Sequence, residues 1–510
     1  MLKSFTRRRE GREGKTLRVF ASSRETVLSR NARNYPPVTG LEIMRGTHGW
    51  AEVSRERKRE IIDAIVANTP TKGPVHAELD LTDRCNVACY FCNQQDLRTK
   101  EQIPIKKTTE LINEMAENGL RSVRLSGGGD PLFHREINDV LTHLASRNIV
   151  VDNVTTNGVA LNRDIASFLV ANKGREVIFS LNAVDAADYA RMMKVKPALF
   201  DKVIENIKTL VEVRGDSIYP SIVTQFLIDR DNVTRMVEMY DLARSLGVDR
   251  IAVNAVLEIP RERIDRELLL RPEDAELAEP FVEELLRKDA DAGLLQIDFA
   301  VWGWNKMMKR VRDRVGIQPT NMYPVAPSFK DRNDGCFFAW YTAAITGNGD
   351  IRPCCLLLNP DVPPLGNVHE ASITEHWRGP MFEKMRDEMR EILLRGGKID
   401  YDPKRFQVLK EVCVKPGLCW LKNMYFKFDE EFYAELDAKL EVVRKKEVRW
   451  IGTPKQIKRR ADVFLYDHPK VRELIGGQRW RRTYDWLRDS SRPLRVALKR
   501  RLHINLTDAA

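Results

Sequence analysis

The sequence predicts an α/β protein: a partial (β/α)6 TIM-like barrel, then a small cysteine-rich domain, then a helical, basic C-terminal region. Three observations carry this reading. Strand-like runs and helical patterns alternate from residue 75 to about 300, three cysteines stand within eight residues after the first run, and the other five cysteines are confined to 336–419. Repeated βα units make a parallel sheet. Counting the run before Cys85 gives six units, short of the eight that close a (β/α)8 barrel.

At 510 residues the chain exceeds what one hydrophobic core holds. Its expected organisation is an N-terminal extension over 1–75, the barrel over 76–300, the cysteine-rich domain over 330–425 and the basic region over 426–510. Hydrophobic residues make up 43% of the chain, which excludes an intrinsically disordered protein. No apolar run approaches the roughly 18 residues of a membrane-spanning helix. The basic residues near Met1 are not followed by an apolar run, so no secretory signal is expected. Clustered cysteines in such a chain point to metal or cluster ligation in a reducing, cytoplasmic setting rather than to disulfides.

The first helix is expected over Glu56–Asn68, closed by Pro70 and Gly73. An alternating run (Ala77, Leu79, Leu81) then forms the first strand. Further strands are expected at Arg121–Ser126, Ile149–Thr155, Glu176–Asn182, Ser221–Leu227 and Arg250–Val256, rich in β-branched and apolar residues. Helical periodicity fills the gaps at Thr108–Asn118, Arg135–Ser146, Arg163–Ala171, Phe200–Val213 and Val233–Leu246. Residues 258–330 read as a charged connector with one helix, Asp274–Lys288. From Cys336 to Cys354 the pattern is strand, tight turn (Gly347-Asn348-Gly349-Asp350), strand. Helical segments follow from about Ile373 to Arg390, interrupted at Gly379-Pro380, and another covers Glu430–Lys446.

Charge is uneven. Residues 1–45 carry eleven basic and four acidic residues, and 444–510 carry nineteen and seven, so the ends are +7 and +12 while the stretch between is −8 of a total of +11. Attraction to polyanions therefore belongs to the ends. The final stretch sets Leu494, Val496, Leu498 and Leu502 beside Arg495, Lys499, Arg500 and Arg501. That is the composition of a helix lying on an anionic membrane surface, and equally of a solvated helix face. The expected location is cytoplasmic, with peripheral attachment to a membrane or another polyanion.

The chemistry is expected at the strands' C-terminal ends. Cys85, Cys89 and Cys92 can occupy three corners of an iron–sulfur cube and leave one iron open to a small molecule. A structural zinc site favours C-x2-C pairs and a fourth ligand. Gly127, Gly128 and Gly129, followed by Asp130, end the second strand, where glycine allows close backbone approach. Thr156 and Asn157 end the third strand, Ser180 and Asn182 the fourth, and Gln225 lies on the fifth. Cys336, Cys354, Cys413 and Cys419 suffice for a second, fully ligated [4Fe-4S] cluster or for a zinc site. Cys355 competes with Cys354 for the ligand role.

The C-x3-C-x2-C spacing, with Phe91 before its last cysteine, resembles the signature of the radical S-adenosylmethionine (radical SAM) enzymes. The C-x12-G-x4-C spacing from Cys336 resembles the opening of the SPASM and twitch extensions found on such enzymes. The resemblance implies that the cluster on Cys85, Cys89 and Cys92 binds S-adenosyl-L-methionine at its open iron. One electron, from a reductant such as flavodoxin or ferredoxin, then cleaves it to a 5′-deoxyadenosyl radical that abstracts a hydrogen. It also implies that Gly127–Gly129 and Asp130 hold the methionyl amino group, Asp130 standing where Glu is commoner. Thr156, Asn157, Ser180, Asn182 and Gln225 would bond the cofactor's ribose and carboxylate. The full SPASM pattern has seven cysteines; Lys410 and Asn423 stand where two of them would fall, which implies one auxiliary cluster on Cys336, Cys354, Cys413 and Cys419. The substrate expected is small or carbohydrate-like. Modification of a ribosomally made peptide, and a non-catalytic metal protein whose basic ends bind nucleic acid, are the alternatives.

Overall fold

The computed structural model describes residues 50, 53–92, 94, 98–256, 267–298, 304–316, 335–354, 362–396, 399, 401–410, 413 and 429–449. The chain enters through α1 (Arg55–Ala67), capped by the Ser54 hydroxyl, which accepts from the Arg57 amide. The βα alternation follows as β1 (His76–Leu79), α2 (Ile105–Glu117), β2 (Ser122–Leu125), α3 (Ile137–Ser146), β3 (Val150–Thr156) and α4 (Arg163–Ala171). It continues with β4 (Glu176–Ser180), α5 (Ala186–Met193), α6 (Leu199–Arg214), β5 (Ser221–Ile228), α7 (Met236–Leu246) and β6 (Arg250–Ala255). After them come α8 (Ala275–Asp289), β7 (Leu295–Asp298) and α9 (Asn305–Val315).

The parallel α/β architecture is the one the alternation predicts, with two more parallel strands among the described residues, β7 and one that follows it, than the six counted. β7 falls in the expected charged connector; four residues, Leu-Gln-Ile-Asp, are too few to display a period. Strands β1 to β7 run parallel and in chain order. The far edge of β1 is taken by β8 (Thr342–Ile345), which also runs parallel to it, so β7 does not close on β1. β9 (Asp350–Arg352) and β10 (Gly366–Asn367) then add antiparallel strands, so the sheet has ten strands among the described residues. The expected hairpin is present as β8–β9, while residues 338–340, before it, form a 3-10 turn rather than strand.

In-register parallel neighbours share a face. One face carries Ala77, Leu79, Val123, Leu125, Val154, Val177, Phe179, Phe226 and Val253, all buried in one core with the helices' apolar residues. The alternate positions form a polar face. His76 Nδ1 lies 2.9 Å from Ser122 Oγ. Arg124 reaches the Thr155 hydroxyl (3.4 Å), Thr155 donates to Asn153 (2.9 Å), and Asn153 donates to Glu176 (2.8 Å), which pairs with Arg250. A polar chain thus runs from β2 to β6, with the His76–Ser122 pair standing apart from it between β1 and β2.

The remaining described elements lie around the β1–β8 edge. α10 (Ile373–Arg378) opens with a capping box between Ser372 and Glu375, and α11 (Pro380–Leu394) starts on its proline, as the Gly379-Pro380 break predicts. Buried Arg386 of α11 donates to Ala339 O and Trp377 O and stacks on the Trp377 ring at 5.0 Å. Burial lowers its pKa to about 10. α12 (Glu430–Arg449) packs on α1: Asp429, just before it, accepts from Lys58 (2.7 Å) and the Trp50 indole (2.9 Å). The described part of the C-terminal region is therefore joined to the N-terminal helix. The basic stretches 1–45 and 450–510 lie outside the described residues. No described helix is long and apolar enough to cross a membrane.

Candidate active site

The cysteine loop leaves β1 at Asp80 and is held from both sides. On the entry side, Asp80 N donates to Ile345 O of β8 (2.8 Å), and residues 101–103 double back along the loop. Asp83 N bonds Glu101 O (2.9 Å) and Ile103 N bonds Leu81 O (3.0 Å). On the far side, Ala88 N and Tyr90 N donate to Met193 O (3.0 Å) and Met192 O (3.2 Å). These carbonyls end α5 and have no partner within the helix, so the loop satisfies them. Tyr90 also donates its hydroxyl to Asp229, which follows β5 and accepts from Arg191 (3.1 Å).

Each cysteine of the loop has a distinct neighbour. Asn157 Nδ2 lies 3.6 Å from Cys85 Sγ, Met193 Sδ lies 3.6 Å from Cys89 Sγ, and Arg98 Nη2 donates to Cys92 Sγ at 3.3 Å. Arg98 also donates to Gly128 O, joining the loop to the glycine run. Burial pushes the Cys85 thiol up, and it pushes the Cys89 thiol up further with help from the charges of Cys92 and Cys85. Three thiolates at such a place call for a positive centre among them, which an iron–sulfur cluster supplies. The buried Tyr189 hydroxyl, with no hydrogen-bond partner among the described residues, adds an unspent polar group beside them. The donor set fits a cluster held by Cys85, Cys89 and Cys92. No three His, Cys, Asp or Glu side chains among the described residues gather as a single metal ion would require.

The glycine run packs against the loop itself. Gly129 N donates to Thr82 O (3.0 Å) and Asp130 N to Arg84 O (2.9 Å). A Cβ on Gly127, which has φ +148°, would fall inside the Asp80 carboxylate; on Gly128 it would meet Asp83, and on Gly129 the Arg84 carbonyl. Asp130 is buried and bonded within the protein. Its carboxylate accepts from Leu132 N (3.0 Å), Thr156 Oγ1 (2.8 Å) and Asn157 N (2.7 Å), tying the end of β2 to the end of β3. Burial still pushes this carboxyl up.

Asn182, at φ 58°, accepts from Leu227 N (2.9 Å) and so pins β4 to β5. Ser180 and Gln225 are register partners on the polar face, and neither side chain has a hydrogen-bond partner among the described residues. The structure thus brings Gly127–Gly129, Asp130, Thr156 and Asn157 to the cysteine loop. It leaves Ser180 and Gln225 with hydrogen-bonding capacity to spare.

Of the second cysteine set, Cys336 stands two residues before the 3-10 turn at 338–340, and Cys354 is buried two residues beyond β9. Cys413 packs at the core's margin, its amide donating to Lys410 O (2.8 Å). Cys355 and Cys419 lie outside the described residues. The hairpin reaches the first site: a Cβ on Gly347 would press on the Asp83 amide and carboxylate.

Arg98, Tyr189 and Met193 escape the sequence reading. Arg98 carries no motif, and α5, which bears the other two, is an eight-residue helix not expected from the pattern. Its one signal is Asp185, an N-cap whose side chain accepts from the Ala187 and Asp188 amides.

Comparison with known proteins bears on the same stretches. The description of the radical SAM superfamily matches residues 79–243, and that of an iron–sulfur cluster-binding domain, SPASM, matches residues 336–397. A probable GTP 3′,8-cyclase of Methanosarcina mazei is 28% identical over 172 residues, 32% of this chain and 49% of that protein. One from Saccharolobus islandicus is 29% identical over 174 residues, 34% of this chain and 54% of that one. The chain spans about half the length of the curated relatives it matches. Among solved structures, Streptococcus suis SuiB superposes with a TM-score of 0.48 at 19% identity, covering 64% of this chain and 71% of SuiB. Since one match takes in the cysteine loop and the other opens at Cys336, residues 79–243 are a radical SAM domain and residues 336–397 a SPASM domain.

Proposed function

We propose that this chain cleaves S-adenosylmethionine reductively at a cluster on Cys85, Cys89 and Cys92 and abstracts a hydrogen from a small, polar or carbohydrate-like substrate. The observation that carries the substrate class is the polar face toward the strands' C-terminal ends, where Arg124 of β2, Thr155 of β3 and Asn254 of β6 stand. Arg124, Thr155 and Asn254 offer donors and acceptors suited to hydroxyl, amino or phosphate groups. The relatives named as GTP 3′,8-cyclases carry a small, charged molecule in that name, which supports the same class.

When bound, the cluster and S-adenosylmethionine supply one-electron chemistry that reaches unactivated carbon. The chain's residues hold and orient. Cys85, Cys89 and Cys92 bind the iron, and the backbone of Gly127–Gly129 lies against their loop. Ser180 and Gln225, with capacity to spare, bond the cofactor. Asp130, Thr156, Asn157 and Asn182 fix the strand ends that carry these groups. A second cluster is assigned to Cys336, Cys354, Cys413 and Cys419. The basic stretch 444–510 is assigned to attachment at an anionic surface, tested by salt-sensitive binding to anionic vesicles.

Anaerobic reconstitution with a reductant should yield 5′-deoxyadenosine, and the Cys85/Cys89/Cys92→Ala triple variant should yield none. Deuterated small-metabolite pools should transfer deuterium into the product. Transfer from a peptide pool instead would overturn the substrate class, and zinc in place of iron would overturn the whole reading.

A further inference from the structure

We infer that Arg98 is a positioning residue for the first cluster, its guanidinium donating to the Cys92 sulfur and thereby raising the cluster's reduction potential. The inference rests on the proposal that Cys85, Cys89 and Cys92 hold that cluster. Arg98 Nη2 lies 3.3 Å from Cys92 Sγ, a direct hydrogen bond to a ligand atom. Its other bonds run to backbone carbonyls, from Nε to Gly128 O and from Nη1 to Val87 O (3.4 Å). One planar fork thus joins a ligand sulfur, the loop between Cys85 and Cys89, and the glycine run.

Charge makes this contact more than a brace. Two carbonyls and a thiol carry no full negative charge, and Arg98 pairs with no carboxylate among the described residues. A half-buried guanidinium in such a place calls for a counter-charge. A cluster on three thiolates is anionic, and more so once reduced, so it supplies that charge. The other two sulfurs have uncharged neighbours, the Asn157 amide for Cys85 and the Met193 thioether for Cys89. The backbone holds Arg98 in position. Thr99 donates its amide (3.2 Å) and its hydroxyl (2.6 Å) to the Asp83 carboxylate, and Lys100 O accepts from Arg84 Nε (3.1 Å). Asp83 and Arg84 directly precede Cys85, so the segment that carries Arg98 is fastened to the root of the cysteine loop.

A cationic donor to a cluster's thiolate favours the more negative, reduced state, so the potential rises. The test uses the full-length, anaerobically reconstituted protein and follows the EPR signal that changes when S-adenosylmethionine is added. Arg98→Gln removes the charge. It should keep the wild-type iron content and lower the reduction equilibrium constant about tenfold, a midpoint about 59 mV more negative for a one-electron couple. Arg98→Lys keeps the charge without the fork. It should return the constant to within about threefold of wild type, a shift of about 28 mV. A brace with no electrostatic part would alter iron content or stability and leave the midpoint in place. An unmoved midpoint in Arg98→Gln would therefore overturn the inference, as would an Arg98→Lys midpoint as negative as that of Arg98→Gln. If Arg98→Gln loses its iron, wild-type protein grown on arginine labelled with nitrogen-15 in the guanidinium decides. Its S-adenosylmethionine-sensitive signal should show a nitrogen-15 hyperfine coupling that Arg98→Lys lacks, and absence of that coupling would overturn the inference. A wild-type protein with no S-adenosylmethionine-sensitive signal would overturn the cysteine assignment, and this inference with it.

Discussion

On one side of the parallel strands, Leu79, Leu125, Val154, Phe179, Phe226 and Val253 are wholly buried beneath the helices. On the other side, at alternate positions of the same strands, stand Glu78, Arg124, Asn153, Glu176 and Arg250, joined largely by hydrogen bonds and an ion pair. The first face needs shape and volume, and any well-packed apolar set could meet that need. The second needs particular polar atoms in register, with a few of them, Ser180 and Gln225 among the described ones, left for a ligand. A period of two lets one strand serve both requirements, so a substitution's effect depends on the parity of its position.

The largest effect is expected on the apolar face. Phe179→Ala should cost about 3–5 kcal/mol of stability, because surrounding groups refill such a cavity only in part. Denaturant unfolding checks it, and a loss below about 1 kcal/mol would mean that the two faces are not energetically distinct. Gly129→Ala comes next and breaks the comparison at the strand ends. The added methyl displaces the Arg84 carbonyl, so the first cluster should be lost. Iron should fall from about eight to about four per chain, while circular dichroism stays near wild type.

Ser180→Ala and Gln225→Ala sharpen the contrast. Neither should change stability by more than about 0.5 kcal/mol. Each should weaken S-adenosylmethionine binding roughly 2- to 12-fold, the worth of one hydrogen bond at about 0.5–1.5 kcal/mol; calorimetric titration of the reconstituted protein measures it. The smallest effect lies away from both faces, at Asp429. Burial alone would raise its carboxyl, but bonds from Lys58 and the Phe432 amide, the Lys58 charge and the Trp50 indole hold it below its usual value. A depressed carboxyl contributes stability above its unfolded pKa of about 3.9 and loses it as pH falls through the folded value. Trp50 fluorescence should therefore report loosening of the α1–α12 contact below about pH 4, and Asp429→Asn should remove that transition.

Much of the fold was legible because it is periodic. The α4 bounds, Arg163–Ala171, agree with the sequence reading, helped by Asn162 as a side-chain cap. β7 and α5 were not legible, since four and eight residues hold too little pattern. At the site, Cys85, Cys89 and Cys92 declare themselves by spacing. Arg98 and Met193 do not, because folding rather than sequence brings them to those sulfurs. Asp130, which the resemblance makes a contact for the cofactor's amino group, also accepts from Leu132, Thr156 and Asn157. A carboxylate preceding Pro131 at the start of a 3-10 turn is an N-cap signal that sequence reasoning can use. Asn182 likewise binds the backbone of β5. The glycines were expected to make room for a ligand, and the close neighbours among the described residues are Asp80, Asp83 and Arg84.

The parallel pairing of β8 with β1 fixes an order of events in the making of the protein. β1 emerges early from the ribosome, but the strand that covers its outer edge follows about 260 residues later, roughly 13–50 s at usual rates of synthesis. Through that interval the edge that positions Asp80 stays unpaired, and the cysteine loop lacks its Ile345 anchor and the Gly347 turn. Iron loaded onto Cys85, Cys89 and Cys92 before then would meet a half-built cradle, open to solvent and to other chains' strands. Cluster insertion is therefore expected only after the hairpin docks, and nascent chains halted before residue 342 should remain sensitive to protease around the loop.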